Sequence, residues 1–493
     1  MQTDEYAAQR PTLRRGLNIW EAIGISVALM APSMAANINP QATAGSVGRA
    51  VPLAFALATV GVLLVAYAFV RLCQHYHHAG SVYGFVGVTL GPRTGVVAGW
   101  ALLGTYTFYG VVTSMAAGIF GTSFLDEIGV WTDPPSWVPF LLGAIALVGV
   151  FLLTIMPVRN GTRILLTVEA ATVVLILAVS VVVLVKLLAG TAPKGQTFTL
   201  DVFTVPPGIG ASTLFLGVVF GFLSFAGFEA AATLGEEARH PRRDIPRAIL
   251  GTAIFGGVYF VVVTAIEMMG FGTDAAGVAS FAASGSLLGD LGSAYIGGWV
   301  GDLITVGAAI SAFGCALACA VGASRLAFAF SRDGVGPARL ATVSQRRGTP
   351  HVAAAVVVGT MFVIIVVDAV VFGAKPFDVF LWSGTIGTLI LLIAYALTII
   401  GAMRLLFFGG RRLARRAEIV IPVLALLVIG YTLYRNVLPY PTGPAAWFPV
   451  VCGVWLLAAV VFVLARPGVA RRAGQRLTAG EGLAIATVDP QPR

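Results

Sequence analysis

Glu229 ends a stretch, 202–228, that carries no other charge, and it follows Gly227 by two residues. A carboxylate set in so apolar a run either carries or exchanges a proton, or it is a structural acid bonded to backbone amides; both readings are open. Pro32 interrupts a second uncharged stretch, 22–48, where it removes one backbone donor and frees the carbonyl a turn earlier. Freed backbone groups in an apolar setting persist only where a cavity or neighbouring protein satisfies them. Exposed helix ends beside an acid suit binding rather than bond-making: amides attract a carboxylate, and carbonyls attract a cation.

Other chemistry-bearing residues are less pointed. Glu169 falls in a later apolar run, and packing or snorkelling competes there with a coupling role. Glu267 and Asp368 fall near the ends of their runs and read as interfacial, and Asp302 reads as opening its run. Glu236, Glu237, Arg239, Arg242, Arg243, Asp244 and Arg247 form a dense cluster. It is either a solvated loop or a set of ion pairs with Arg325, Arg332 and Asp333 that closes a gate. Pro241 and Pro246 predict a turn there, with a helix starting near Pro246. Cys315 and Cys319 are one helical turn apart, with no further Cys or His nearby to complete a metal site, so they read as packing residues. The His75, His77 and His78 group lacks zinc-type partner spacing as well. No Gly-Lys-Ser phosphate loop, nucleophile elbow or His-Glu-x-x-His pattern points to an enzyme, and no cofactor or metal is implied.

The elements that must position these residues follow from composition. Charged residues make up 11% of the 493, where about 25% is usual in soluble domains, and 58% are hydrophobic. So little charge cannot coat a soluble particle of this size, and the chain is an all-α polytopic membrane protein. Its uncharged runs predict twelve spans near 19–45, 50–71, 94–124, 137–156, 163–189, 212–236, 250–271, 300–330, 351–372, 377–403, 418–437 and 445–465. Alternate connecting segments hold 26 and 5 of the 31 Lys and Arg residues, which places both termini in the cytoplasm. The net charge of +9 is accounted for by loops facing anionic lipid, and no basic stripe suggests nucleic acid. The Arg-over-Lys and Ala bias points to a GC-rich bacterial genome, hence a bacterial inner membrane.

Pro32 and Gly227 lie in the first and sixth spans, five apart. Inverted five-helix repeats give that spacing, with half-helix ends meeting near the midplane. A zwitterion would satisfy both kinds of end.

Four stretches then resemble amino acid–polyamine–organocation permeases. The run from Glu229 to Ile249 resembles that family's sixth-helix signature. His77 to Tyr83 with Leu90, Gly91 and Pro92 resembles its loop between helices two and three. Ala323 to Leu326, with Ser331 to Gly334 and Pro337, resembles the end of helix eight, and Gly348 to Ala353 the start of helix nine. The resemblance implies a LeuT-type fold working by alternating access. Repeats at 19–189 and 212–403 would be followed by two helices at 418–465 and flanked by tails at 1–18 and 466–493. It also implies that the substrate sits on unwound backbone, here Met30, Ala31, Pro32, Ser33 and Met34 with Phe225, Ala226, Gly227 and Phe228. Of the Phe222, Phe225 and Phe228 stripe, Phe225 or Phe228 is expected to cap the substrate.

Two departures carry information. Some relatives place a sodium-mimicking Lys in helix five, where Thr172 stands here, with Glu169 a turn earlier. Some exchangers of cationic amino acids place a Trp gate where Leu223 stands. The expectation is a proton-coupled amino acid permease with Glu229 and Glu169 as coupling or gating acids. The cytoplasmic gate would comprise Glu236, Glu237, Arg243, Arg325 and Asp333, and a sodium site at Thr172 and Ser311 is the ionic alternative. An exchanger or a polyamine carrier of the same fold is the other transport reading. A transport-dead sensor would lack the binding-site glycine, which this chain keeps.

Overall fold

The computed structural model describes residues 18–76, 81–156, 159–234, 238–332, 334–344, 349–410 and 412–468. Among the described residues every regular element is helical. In chain order the helices are α1 (Ile19–Met30), α2 (Pro32–Val47), α3 (Val51–His75), α4 (Ser81–Leu90), α5 (Pro92–Glu127), α6 (Val138–Thr154), α7 (Arg159–Leu188) and α8 (Leu214–Phe225). After a 3-10 turn at Ala230–Leu234 come α9 (Pro241–Phe271), α10 (Ala275–Ala283), α11 (Leu287–Tyr295), α12 (Gly298–Arg332), α13 (His351–Val366), α14 (Pro376–Phe407), α15 (Val420–Val437) and α16 (Trp447–Ala465).

Among the described residues, ten helical segments are long and apolar enough to cross a membrane. One of them, Ile19–His75, contains α1, α2 and α3, while Val138–Thr154 is a shorter apolar helix of 17 residues. At 1.5 Å per residue α6 is about 26 Å long, slightly under a bilayer core.

Local chemistry explains several helix starts. Asn18 Oδ1 accepts from Glu21 N at 2.9 Å while Glu21 Oε2 accepts from Asn18 N at 2.8 Å, a reciprocal cap that opens α1. Pro92, Pro241 and Pro376 each open a helix at the position where a missing N–H costs nothing. Here the structure corrects the sequence reading. No turn separates Pro241 from Pro246; α9 starts at Pro241 and carries Pro246 inside it. A proline so near the start disturbs few intrahelical bonds.

Two helices are broken in mid-course. Ala31 lies between α1 and α2 at φ 44°, ψ 57°, in the left-handed region. Pro32 is the cause. The residue before a proline is steered away from right-handed helix, and the proline itself then serves as the first residue of α2. The second break follows α8: Ala226 is extended at ψ 123°, Gly227 takes φ 109°, and turns run to Glu229. Only glycine adopts that φ without strain.

Around these breaks α12 and α14 run along α5, and α3 runs along α9. α10 and α11 cover one end of α2. α15 and α16 are peripheral, with Leu427, Val454 and Leu464 exposed as lipid-facing residues would be. One ion pair joins described residues, Arg71 Nη2 to Glu418 Oε2 at 2.7 Å, and it ties α3 to the segment before α15.

Candidate functional site

The two breaks face each other. A Cβ on Gly227 would stand 2.9 Å from Leu29 Cβ and 3.1 Å from Met30 N, so backbone approaches backbone with no room for a side chain. Hydrogen bonds tie the pieces together. Ser26 Oγ of α1 accepts from Ala231 N at 2.9 Å, and Asn39 Nδ2 of α2 donates to Ser224 Oγ of α8 at 2.7 Å. Cys315 Sγ of α12 contacts the Leu29 carbonyl at 3.4 Å, and Tyr259 OH of α9 donates to the Pro32 carbonyl at 3.3 Å. The Leu29 carbonyl at the end of α1 thus has a neighbour from α12, and the start of α2 has one from α9.

Glu229 is buried at the second break, where its Oε2 accepts from Gly227 N at 3.2 Å. The Tyr395 hydroxyl stands beside it, outside hydrogen-bond geometry. A central cavity of about 30 Å³ lies against Glu229, Gly227, Ala226 and Leu223 on one side and Leu29, Met30 and Met34 on the other. Tyr106, Tyr109, Cys315 and Cys319 complete much of its wall. Its polar side chains are mostly engaged. Thr113 Oγ1 donates to the Tyr109 carbonyl at 2.8 Å, and the Tyr109 hydroxyl pairs with Thr388 Oγ1 at 3.0 Å.

Of the sequence candidates, Met30, Met34, Ala226, Gly227 and Glu229 line this cavity. Ala31, Pro32 and Ser33 are buried in the break beside it. Phe225 and Phe228 are not among its lining residues; both are fully buried, Phe225 against Phe260 at 5.4 Å and Phe228 against Phe69 at 5.8 Å between ring centroids. Their rings belong to an aromatic core that also holds Phe55 and Tyr395.

Glu169 of α7 reaches the first break. Its Oε1 accepts from Ser33 N at 2.9 Å, with Ser311 of α12 alongside, and Ser311 Oγ lies 3.4 Å from Met34 N. Glu169 is therefore bound to the half-helix rather than turned out to lipid. Thr172 turns its hydroxyl back to the Val168 carbonyl at 2.9 Å and lies against Gly307. A second cavity, about 480 Å³, is lined by Glu169, Ser311, Ile25, Leu29 and Leu166 and extends to Arg325, Thr349 and Pro350. Leu29 lines both cavities.

For the predicted gate, Arg243 is exposed on the first turn of α9 and Arg325 borders the larger cavity. Glu236, Glu237 and Asp333 lie outside the described residues, as do His77 and His78. Asp302 lies in the first turns of α12. Glu267 is a correction: it is fully buried with both carboxylate oxygens unpartnered, because α9 turns it toward the bundle.

Sequence reasoning missed Ser26, Asn37, Asn39 and Tyr259. Asn37 Oδ1 accepts from Ser286 Oγ at 2.9 Å and Leu288 N at 2.8 Å, joining α2 to the cover formed by α10 and α11. The available signal was a run of amide and hydroxyl residues inside an uncharged span. Cys315 and Cys319 were read as packing residues, yet their one-turn spacing places both on the cavity wall.

With the breaks apposed around a small enclosed cavity, comparison with known proteins becomes informative. The sequence pattern of the amino acid permease family matches residues 22–477. The chain belongs to that family, within the amino acid–polyamine–organocation superfamily. The permease is 27% identical over 334 residues to a low-affinity putrescine importer of Escherichia coli, covering 66% of this chain and 69% of the importer. It is 26% identical over 317 residues to a branched-chain amino acid permease of Bacillus subtilis, covering 62% and 65%. It is also 30% identical over 231 residues to human cationic amino acid transporter 4, covering 45% and 36%. The permease is a multi-pass membrane protein of a transporter family, and its relatives carry small molecules of different charge.

Proposed function

We propose that this permease is a secondary active amino acid transporter, driven by protons, that holds its substrate between the breaks at Met30–Met34 and Phe225–Phe228. The observation that carries the reading is the buried Glu229 on Gly227 N, beside a cavity enclosed by both breaks. An amine has Glu229 and the freed carbonyls to meet, and a carboxylate has the amide end of α2. Glu229 is the coupling acid in this reading, and Glu169 gates the cavity side that leads to Arg325.

The architecture proposed with it has twelve passes, counting α1 with α2 as one, α3 as another and α6 as a short one. The first five and next five form a LeuT-type inverted repeat at 19–189 and 212–403, with α15 and α16 appended. The termini are cytoplasmic and the membrane is a bacterial inner membrane, in keeping with the arginine distribution. The 480 Å³ cavity then opens toward the cytoplasm, and Glu236, Glu237, Arg243, Arg325 and Asp333 form the gate around it.

A second reading, amine import or exchange on the same fold, is favoured by the putrescine importer among the relatives. Uptake by proteoliposomes separates the two. Labelled amino acids should accumulate under an inward proton gradient and lose accumulation when a protonophore is added. Uptake only against a preloaded solute, indifferent to the gradient, would make the protein an exchanger. Dependence on sodium instead would move coupling to the region of Thr172 and Ser311.

A further inference from the structure

We infer that Glu169 is a tethered competitor for the seat that receives the substrate's carboxylate, and that this amide seat, which the competitor tempers, is what favours carboxylate-bearing amines over diamines. The inference rests on the amino acid reading above and concerns what occupies the seat when the substrate is absent.

The seat is the start of α2. Pro32 has no N–H, and Ala35 N already bonds the Ala31 carbonyl at 2.8 Å, which leaves the amide of Ser33 and that of Met34, the latter on a long 3.4 Å bond to Ser311 Oγ. Such an end attracts anions through its amides and its dipole. The Ser33 amide is held at 2.9 Å by Glu169, a residue 136 positions away on another helix, so this is no local cap. The Ser33 hydroxyl is fully buried beside the same carboxylate, yet lies outside hydrogen-bond geometry with any partner. One carboxylate thus sits at a seat that retains an unspent polar group.

Glu169 also has somewhere to go. It borders the 480 Å³ cavity, whose other wall carries Arg325, so a side chain leaving Ser33 N enters open space. The other ionisable groups facing this region are Tyr259 of α9, Cys315 of α12 and Arg325, while Glu21 of α1 is spent on its own helix cap.

The central cavity explains why a carboxylate must use this seat. Among the described residues its wall holds one acid, Glu229, and no Lys, Arg or His. A substrate carboxylate has no side-chain cation to meet there, and the amide end of α2 is the site left. A diamine would pair one ammonium with Glu229 and find no second carboxylate on this wall for the other, only neutral groups such as Thr105, Tyr106, Met34 and Leu391. An unpaired charge in such surroundings is strongly disfavoured.

The test is equilibrium binding to the purified full-length permease, using leucine, leucinamide, isoamylamine and putrescine as probes. Wild type, Glu169→Ala and Glu169→Gln are compared. Removing the competitor should tighten leucine binding about tenfold in Glu169→Ala, since a hydrogen bond to a charged group contributes that much. Glu169→Gln keeps an acceptor but no charge and should tighten it less, in the same direction. Leucinamide and isoamylamine, which lack the carboxylate, should bind with the same affinity in all three proteins. Leucine affinity that is unchanged, weakened, or shifted no more than leucinamide's would overturn the inference and leave the amino acid reading standing. Loss of all binding in both variants would make Glu169 structural and overturn it too. Wild type that binds putrescine and not leucine would overturn the amino acid reading itself.

Discussion

Gly227 backs onto Leu29 so closely that the two helix breaks form one object. A methyl added to Gly227 would stand 2.9 Å from Leu29 Cβ and 3.0 Å from its carbonyl carbon. The glycine's φ of 109° excludes a side chain on conformational grounds as well. The position of one break is therefore set by the other.

Gly227→Ala should disable transport more than it destabilises the fold. The strained φ costs about 1–3 kcal/mol, and the contact with Leu29 forces the breaks apart. The expected result is a folded, thermally weakened protein with at least a tenfold loss of substrate affinity; thermal-shift and binding assays on one preparation would show it. Wild-type affinity would contradict the close approach.

Glu229→Gln keeps an oxygen that accepts from Gly227 N, so the turn should survive. Substrate should still bind, while accumulation driven by a proton gradient should fall to equilibration. Counterflow measured beside gradient-driven uptake distinguishes the two, and unchanged accumulation would remove Glu229 from the coupling role.

The all-helical, apolar character of the chain and its two breaks were legible in the sequence because their signals are local. A bilayer core demands uncharged runs, Pro32 acts on its own neighbours, and Gly227 answers to its own φ. Facing was less legible. Phe225, Phe228 and Glu267 differ from expectation because rotation about a helix axis is fixed by packing against helices far away in sequence. Glu169 was ambiguous for the same reason: its partner, Ser33 N, lies 136 residues away.

Asn37→Ala should loosen the cover over α2. The side chain accepts from Ser286 Oγ and Leu288 N, both buried, and orphaning such donors costs about 1–3 kcal/mol each. Faster hydrogen exchange across α10 and α11, with the rest of the bundle unchanged, is the expected signature.

Leu29→Ala should join the two cavities, since Leu29 lines both. Cys315, on the wall of the central cavity, should then react several-fold faster with a membrane-impermeant maleimide applied from the side of Arg325. A rate equal to wild type would place the barrier elsewhere.

The central cavity, about 30 Å³, holds about one water. Any amino acid is larger, so under the proposed binding mode the volume has to be created when the substrate arrives. Every candidate molecule meets the same cost of parting the walls, and only one that engages both helix breaks recovers it. In the proposed mode of transport, selectivity then comes from which guests can keep the site open.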